Sequence, residues 1–309
     1  MVKNLIAAVT AVLLLAGCAG SSVPKWYSKH KMDTPEYIYG AGEGTTKLDA
    51  INNALSFAAS KVSVTIDSTF ATSKEYIQTN DKSNVFKQLS KQTTSRVKDI
   101  EFSDYSVEKL SKDDGRYYAL VKINRTKNAR MLYSKAINDI KTVEPYLSLT
   151  DRVQVFTKYP KLLSRIKKDI YNLYIAESLK SLPGIDEAVK KAANIKIALE
   201  NRLQKLSFNA EVRDSRLKAI LEEVFSNLGY SISEKGIRVE AVSHEENRKI
   251  GGYYYTFMSL DVVLKDKTSV QFNVKCAGKS ISDFKTAREL ALQECKRKLD
   301  YKIKSISGY

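Results

Sequence analysis

Histidines and paired carboxylates are the residues of this chain that could support acid–base or metal chemistry. The sequence has two histidines, His30 and His244, and a zinc-protease motif starting at His244 would need a second histidine where Arg248 stands. A serine or cysteine nucleophile would depend on one isolated imidazole. The adjacent acids at positions 113–114 and 222–223 fall in a predicted turn and a predicted helix, where they are usually solvated. We predict no catalytic residue, no metal site and no enzyme; a hydrolase with a carboxylate pair is the less favoured alternative.

The glycine cluster at residues 40–44 could cradle a phosphate, because it lies between a predicted strand and a predicted helix. Its spacing is not that of the dinucleotide motif, and Gly44 is followed by Thr45 where a phosphate loop has lysine. Glu43, inside the cluster, would also repel a phosphate. We therefore predict close packing at a turn, without a nucleotide or any other cofactor.

Cys18 has the clearest chemical role in the sequence. It follows Leu15, Ala16 and Gly17 at the end of an apolar run over residues 5–15, and Lys3 precedes this run. The run is too short to span a bilayer comfortably and is typical of a secretory signal. The four residues ending at Cys18 resemble the bacterial lipobox, which implies cleavage after Gly17 and diacylation of the thiol by chains such as palmitate.

Acylation would determine where the chain is held. Two or three acyl chains form a stable membrane anchor, whereas one binds only marginally. Ala19 and Gly20 follow the cysteine where the familiar inner-membrane retention signal has an aspartate. We expect a protein anchored to the outer membrane through Cys18, on the periplasmic face or the cell surface. An ordinary secreted protein, or a signal anchor that is never removed, is the alternative.

Two further cysteines, Cys276 and Cys295, lie close to each other in the sequence. A predicted strand over residues 271–276 ends at the first, and the second lies in the helix that follows, which can fold back over the strand. An oxidising periplasm would permit a disulfide. Two buried free thiols are the alternative, and no further ligands for a metal are evident nearby.

The charge and the aromatic residues indicate a binding surface. The net charge is +16, and 43% apolar residues are typical of a folded protein. In the envelope this charge favours an envelope protein or an anionic glycan, or lipid phosphates, as the partner and not a nucleic acid; lysines on solvated helix faces are the alternative. The chain has 18 tyrosines, and Tyr253, Tyr254 and Tyr255 are candidate partner contacts. Ordinary sheet packing is the other interpretation of these three.

The elements that position these residues predict an α+β fold. A strand over 37–44 precedes a helix with a stripe of small residues at Ala50, Ala54 and Ala58. Residues 81–98 are a polar helix or a mobile insertion, and strands over 101–109 and 117–123 form a hairpin. We expect two small α+β domains, with helices packed on mainly antiparallel sheets, joined by a helical connector. The predicted boundaries are 1–17 signal peptide, 18–24 lipidated tether, 25–143 first domain, 144–208 connector and 209–309 second domain.

The predicted second domain echoes the first. A helix over 216–228 is followed by strands over 236–242, 253–264 and 268–276 and by a helix over 282–304, while His244 falls in a charged loop. Ala287, Ala291 and Cys295 repeat the spacing of the first small-residue stripe. This repetition indicates either a duplication or convergent packing of a helix on a sheet.

The chain resembles the LPP20 family of bacterial lipoproteins in four features of its N-terminal part. These are the lipobox, the residues from Pro24 to Tyr27, the strand that enters the glycine cluster and the helix with the alanine stripe. The resemblance covers about residues 18–140. It implies small α+β envelope lipoproteins, some tied to the flagellar basal disk and others to surface antigens, with no shared catalytic residues. We expect a non-enzymatic scaffolding or assembly role. A regulator of peptidoglycan synthesis or of flagellar basal-body assembly, acting through the C-terminal domain, is the alternative.

Overall fold

The computed structural model describes residues 23–29, 31–77 and 100–308. The signal peptide with Cys18, and the predicted helix or insertion over 81–98, lie outside these residues. The fold is α+β, as predicted, with seven α-helices, one 3-10 helix and two sheets in the described part of the chain. It divides into two compact units, Met1–Lys135 with Tyr171–Ile185, and Ala136–Ile170 with Asp186–Tyr309.

The first unit is built on a three-stranded antiparallel sheet. Its strands are β1 (Tyr37–Gly44), β2 (Tyr105–Asp113) and β3 (Arg116–Asn124), in the order β1-β3-β2. Asp114 and Gly115 have φ values of 43° and 75°, the left-handed geometry of a type I′ turn, which confirms the predicted hairpin. The helices that start in this unit are α1 (Lys25–Ser28), α2 (Lys47–Ile77) and α3 (Arg125–Val143).

Strand β1 packs against α2 without a layer of side chains between them. A Cβ atom added to Gly40 would lie 2.0 Å from the carbonyl oxygen of Ala54, and one added to Gly42 would lie 2.2 Å from the nitrogen of the same residue. Ala50, Ala54 and Ala58 are all fully buried. The glycine cluster therefore allows a close approach of strand and helix, as the sequence predicts.

Helices dominate the residues between the two sheets. A 3-10 helix (Glu144–Ser148) precedes α4 (Arg152–Leu179) and α5 (Ile185–Gln204). Pro160 lies inside α4, although proline usually breaks a helix. A proline in a helix costs about 3 kcal/mol, and burial of side chains further along α4, such as Ile166 and Ile170, offsets this at about 1.5–3 kcal/mol each. The predicted three-part domain division stays a prediction.

The second unit holds a five-stranded mixed sheet in the order β5-β4-β6-β7-β8. Strand β4 runs parallel to its neighbours β5 and β6, and the remaining pairs are antiparallel. Helices α6 (Ser215–Asn227) and α7 (Phe284–Ser307) pack on one face of this sheet. The strands are β4 (Ser207–Glu211), β5 (Ser231–Ile232), β6 (Ile237–Ile250), β7 (Tyr253–Lys265) and β8 (Ser269–Ser280).

Strand β6 is much longer than predicted, and the placement of His244 in a charged loop is wrong. Residues 238–250 of β6 all pair with β7. The two strands join through Gly251 and Gly252, whose φ values of 56° and 82° fit a two-residue hairpin turn. This turn and the pairing with β7 hold the charged residues in a strand.

Candidate functional site

The predicted site residues that the structure describes all lie in the second unit. Cys18, the predicted lipidation site, precedes the first described residue. Among the described helices, none is both long and apolar enough to cross a membrane. Within the same part of the chain, no cluster of three or more histidine, cysteine or acidic side chains could hold a metal ion.

Cys276 on β8 and Cys295 on α7 form a disulfide, with their Cα atoms 5.2 Å apart. Both residues are buried. Next to the bridge, a Cβ atom added to Gly278 would lie 1.8 Å from the carbonyl oxygen of Ala287 and 2.4 Å from the nitrogen of Ala291. The bridge therefore joins a helix and a strand that already touch through their backbones.

Removal of this bridge is expected to destabilise the second unit. The double variant Cys276→Ser/Cys295→Ser opens a loop with a sequence separation of 19 residues, and loops of this size contribute about 3 kcal/mol to the free energy of unfolding. Urea unfolding of the mature chain with and without a thiol reductant measures the loss. The reductant should lower the unfolding midpoint of the wild type and leave that of the double variant unchanged; equal midpoints for the wild type in both conditions would contradict the bridge.

Alternation along β7 separates the three predicted contact tyrosines. Tyr253 and Tyr255 share the sheet face opposite the helices, which we call the open face. Tyr254 points to the other face, where its ring contacts Phe284 of α7 edge-on at 4.9 Å. Its hydroxyl accepts a hydrogen bond of 3.1 Å from Lys249 Nζ. Tyr254 therefore packs within the unit.

Phe257 continues the row of rings on the open face. Its ring stacks on that of Tyr255 at 6.0 Å, and the rings of Tyr253 and Tyr255 are 6.5 Å apart. Tyr253 is 39% exposed and Phe257 is 37% exposed. We call these three residues the aromatic ladder. Phe257 was not among the predicted contacts, although its spacing of two residues from Tyr255 along the strand identifies it.

Cationic side chains from both neighbouring strands flank the ladder. In the sheet register, Tyr255 lies between Arg248 of β6 and Lys279 of β8. Lys279 Nζ is 3.7 Å from the centre of the Tyr253 ring, and the Arg248 guanidinium carbon is 5.8 Å from that of Phe257. These distances fall within the range of cation–π contacts. The ladder is thus an exposed apolar strip with a cation on each side.

Arg248 also forms an ion pair with Glu246, 2.6 Å between Nε and Oε1. The hydrogen bond from Arg248 holds the pKa of the Glu246 carboxyl below its usual value. Both side chains are more than half exposed. The pair is therefore free to exchange partners with charges that approach from solvent.

His244 belongs to a second polar group on the open face. Its Nε2 lies 3.6 Å from Asp261 Oδ2, and Ser259 is directly across the strand pair from it. The His244 side chain is 69% exposed, and the amide of Asn273 donates hydrogen bonds of 2.8 Å to both Ser259 and Asp261. Such a solvated arrangement lacks the water exclusion that favours catalysis. It supports a surface hydrogen-bonding role.

The two long outer edges of this sheet differ in how they are covered. Side chains of α7 cover β8: Ala277 donates its N–H to Glu294 Oε2 at 2.7 Å, and Lys298 Nζ donates to the carbonyl of Lys275 at 2.8 Å. The first of these bonds is the main reason why the pKa of Glu294 is lowered. On the opposite side, β4 pairs with β6 only as far as Glu240. The rest of β6 has a strand neighbour on one side only in the described chain.

The fold and these surfaces define a two-unit α+β protein whose first unit packs a small-residue helix on an antiparallel sheet. Residues 24–124, which include this sheet and helix, match the family model described as LPP20 lipoprotein. The match confirms the resemblance predicted for the N-terminal part. The likeness to this lipoprotein family covers about a third of the chain.

Solved structures add information about the fold. The secreted protein HP1454 from Helicobacter pylori aligns with 88% of this chain and 97% of its own, at 15% identity and a TM-score of 0.51. At this identity the likeness concerns the fold alone. A minor lipoprotein from Acinetobacter baumannii aligns with 33% of this chain and 87% of its own, at 12% identity and a TM-score of 0.24, which is too low to support an argument. No curated protein is significantly similar to the chain.

Proposed function

We propose that the protein is an outer-membrane lipoprotein with a structural role, anchored by acyl chains on Cys18, whose C-terminal sheet binds an anionic envelope glycan. The observation that carries this proposal is the aromatic ladder between Arg248 and Lys279. The match of residues 24–124 to a lipoprotein family supports the anchor. The role is binding and scaffolding, without catalysis.

The chemistry of the open face favours a carboxylate-bearing glycan as the partner. Tyrosine and phenylalanine rings offer flat apolar faces on which sugar rings stack, and the tyrosine hydroxyls provide polar groups at the rim. Lys279 and Arg248 supply the charges that attract carboxylates. Acidic side chains such as Glu246 oppose this attraction, so binding depends on the cations next to the rings.

Charge reversal at Lys279 is expected to weaken glycan binding on the order of tenfold, because it removes the cation that contacts Tyr253 and adds a repulsive carboxylate. Co-sedimentation of the mature chain with purified peptidoglycan, an insoluble anionic glycan, measures this change for Lys279→Glu. Binding that weakens with added salt would fit the same mechanism.

Lys265→Glu is the matched control. It makes the same change of charge on the same face of β7, ten residues from Tyr255 and therefore about 33 Å away. We expect this variant to bind like the wild type. Equal losses in both variants would mean that only total charge matters, and an unchanged Lys279→Glu variant would remove the ladder from the binding site.

A further inference from the structure

The distal part of β6, residues 244–250, is an exposed strand edge. It pairs with β7 on one side, and beyond Glu240 the described chain places no strand on its other side. Residues 244–250 are exposed on both faces of the sheet. A strand edge of this length presents a row of backbone donors and acceptors to which another strand can bind.

The side chains on this edge have a self-complementary order of charge. The sequence from position 245 is Glu245, Glu246, Asn247, Arg248 and Lys249, with two acids before the asparagine and two bases after it. When two such strands pair antiparallel about a two-fold axis at Asn247, each Glu246 faces Arg248 of the second copy. Each Glu245 likewise faces Lys249 of the second copy. The axis generates both contacts twice, which gives four pairs of opposite charge.

We propose that this edge is a homodimer interface, in which β6 pairs antiparallel with β6 of a second copy and joins two sheets into one. This inference does not depend on the lipid anchor or on glycan binding. Opposite charges directly across an antiparallel pair stabilise it, and like charges oppose it. Residues directly opposite in an antiparallel pair lie on the same sheet face, so the dyad must fall on a residue. A dyad at Glu246 or at Arg248 would place two like charges opposite each other, so the charges select the register centred on Asn247.

Charged side chains on a strand edge commonly prevent association, but here their arrangement favours it. Charges prevent the pairing of two copies when side chains of the same sign face each other. In this segment, the acidic side chains of one copy face the basic side chains of the other. Arg248 and Glu246, both on the open face, already form an ion pair within the strand, so dimerisation exchanges each partner for the residue of the same charge in the second copy. Glu245, on the other face, forms an ion pair of 2.9 Å with Arg288 of α7.

Charge exchange at positions 246 and 248 tests the register. In detergent-solubilised mature protein, Glu246→Arg or Arg248→Glu alone should raise the dimer dissociation constant on the order of tenfold, because each places like charges opposite each other. The double variant Glu246→Arg/Arg248→Glu should return within about threefold of the wild type, because it restores opposite pairs. An equimolar mixture of the two single variants should form heterodimers, since arginines at both positions of one chain then face glutamates in the other.

Both positions are more than half exposed, and the urea unfolding midpoint of each variant confirms that it is folded. Fluorescence energy transfer between two labelled populations gives the dissociation constant. Equal dissociation constants for the single and double variants, or a wild type that stays monomeric at all concentrations, would overturn the proposal.

A cysteine at the dyad gives an independent test. Residues directly opposite in antiparallel strands have Cα atoms about 4.5–5.5 Å apart, within the range of a disulfide. Asn247→Cys should therefore form a covalent dimer on mild oxidation, at least tenfold faster than the control His244→Cys, whose two copies are about six residues out of register. Equal rates for the two variants would contradict the register centred on Asn247.

Discussion

Replacement of Cys18 by serine is expected to move the chain from the membrane fraction to the soluble fraction. Each buried methylene of an acyl chain contributes about 0.8 kcal/mol to membrane binding, so two or three chains hold a protein firmly. Serine has no thiol to acylate, and the tether would lose this anchor. Fractionation after a high-salt wash measures the distribution, because salt removes proteins that are held only by charge.

The double variant Cys276→Ser/Cys295→Ser is the matched control for this experiment. It removes the other two cysteines of the chain and keeps Cys18, so it should remain with the membrane. Sedimentation of Cys18→Ser with washed membranes would show that lipidation is not the anchor. Mass spectrometry of the mature N-terminus gives the same answer directly, because an unmodified N-terminal residue would contradict the proposed acylation.

The variant Gly278→Ala is expected to lower the free energy of unfolding of the second unit by about 3 kcal/mol or more. The added Cβ would lie 1.8 Å from the carbonyl oxygen of Ala287. Backbone atoms cannot rotate away as a side chain can, so β8 and α7 must separate and lose buried contacts. Urea unfolding of the mature chain, followed by circular dichroism, gives the change.

Gly252→Ala adds the same methyl group in the same unit, at a position with no atom within 4 Å. Its positive φ of 82° makes alanine unfavourable there by about 1–2 kcal/mol. Gly278→Ala should therefore be clearly the more destabilising of the two. A midpoint for Gly278→Ala at or above that of Gly252→Ala would contradict the close packing of β8 on α7.

Local signals in the sequence predicted the parts of the fold that depend on short-range geometry. The Asp114-Gly115 pair identifies the β2–β3 hairpin, because both residues tolerate a positive φ. The alanine stripe of α2 and the glycines of β1 predict a close contact, because neither side carries bulk. These features are readable because the residue types themselves limit the backbone.

The longer part of β6 could not be predicted, for a physical reason. Residues 244–250 are exposed on both faces, so they lack the alternation of polar and apolar residues that identifies a half-buried strand. Only pairing with β7 makes this segment a strand. In α4, Pro160 favours a break in the helix, but burial of apolar residues elsewhere in the helix offsets this preference, so here too contacts distant in the sequence determine the local structure.

The candidate site was predictable only in part. The cluster of tyrosines drew attention to the start of β7, and alternation places Tyr254 on the face opposite Tyr253 and Tyr255. Sequence alone could not show which of these two faces the helices cover. Arg248 and Lys279 come from two other strands, and only the register brings them beside Tyr255. To predict that these two cations flank Tyr255, one must know how three strands pair, and no short sequence motif contains this information.

Each unit contains a strand and a helix whose backbones touch. This contact lies at Gly40 and Gly42 in the first unit and at Gly278 in the second. Packed elements usually slide past each other through small rearrangements of interlocking side chains. Neither of these contacts has a layer of side chains between strand and helix, and in the second unit the disulfide also joins the two elements covalently. In each unit the helix would therefore resist sliding along its strand, and the contact would have to separate as a whole before either element could move.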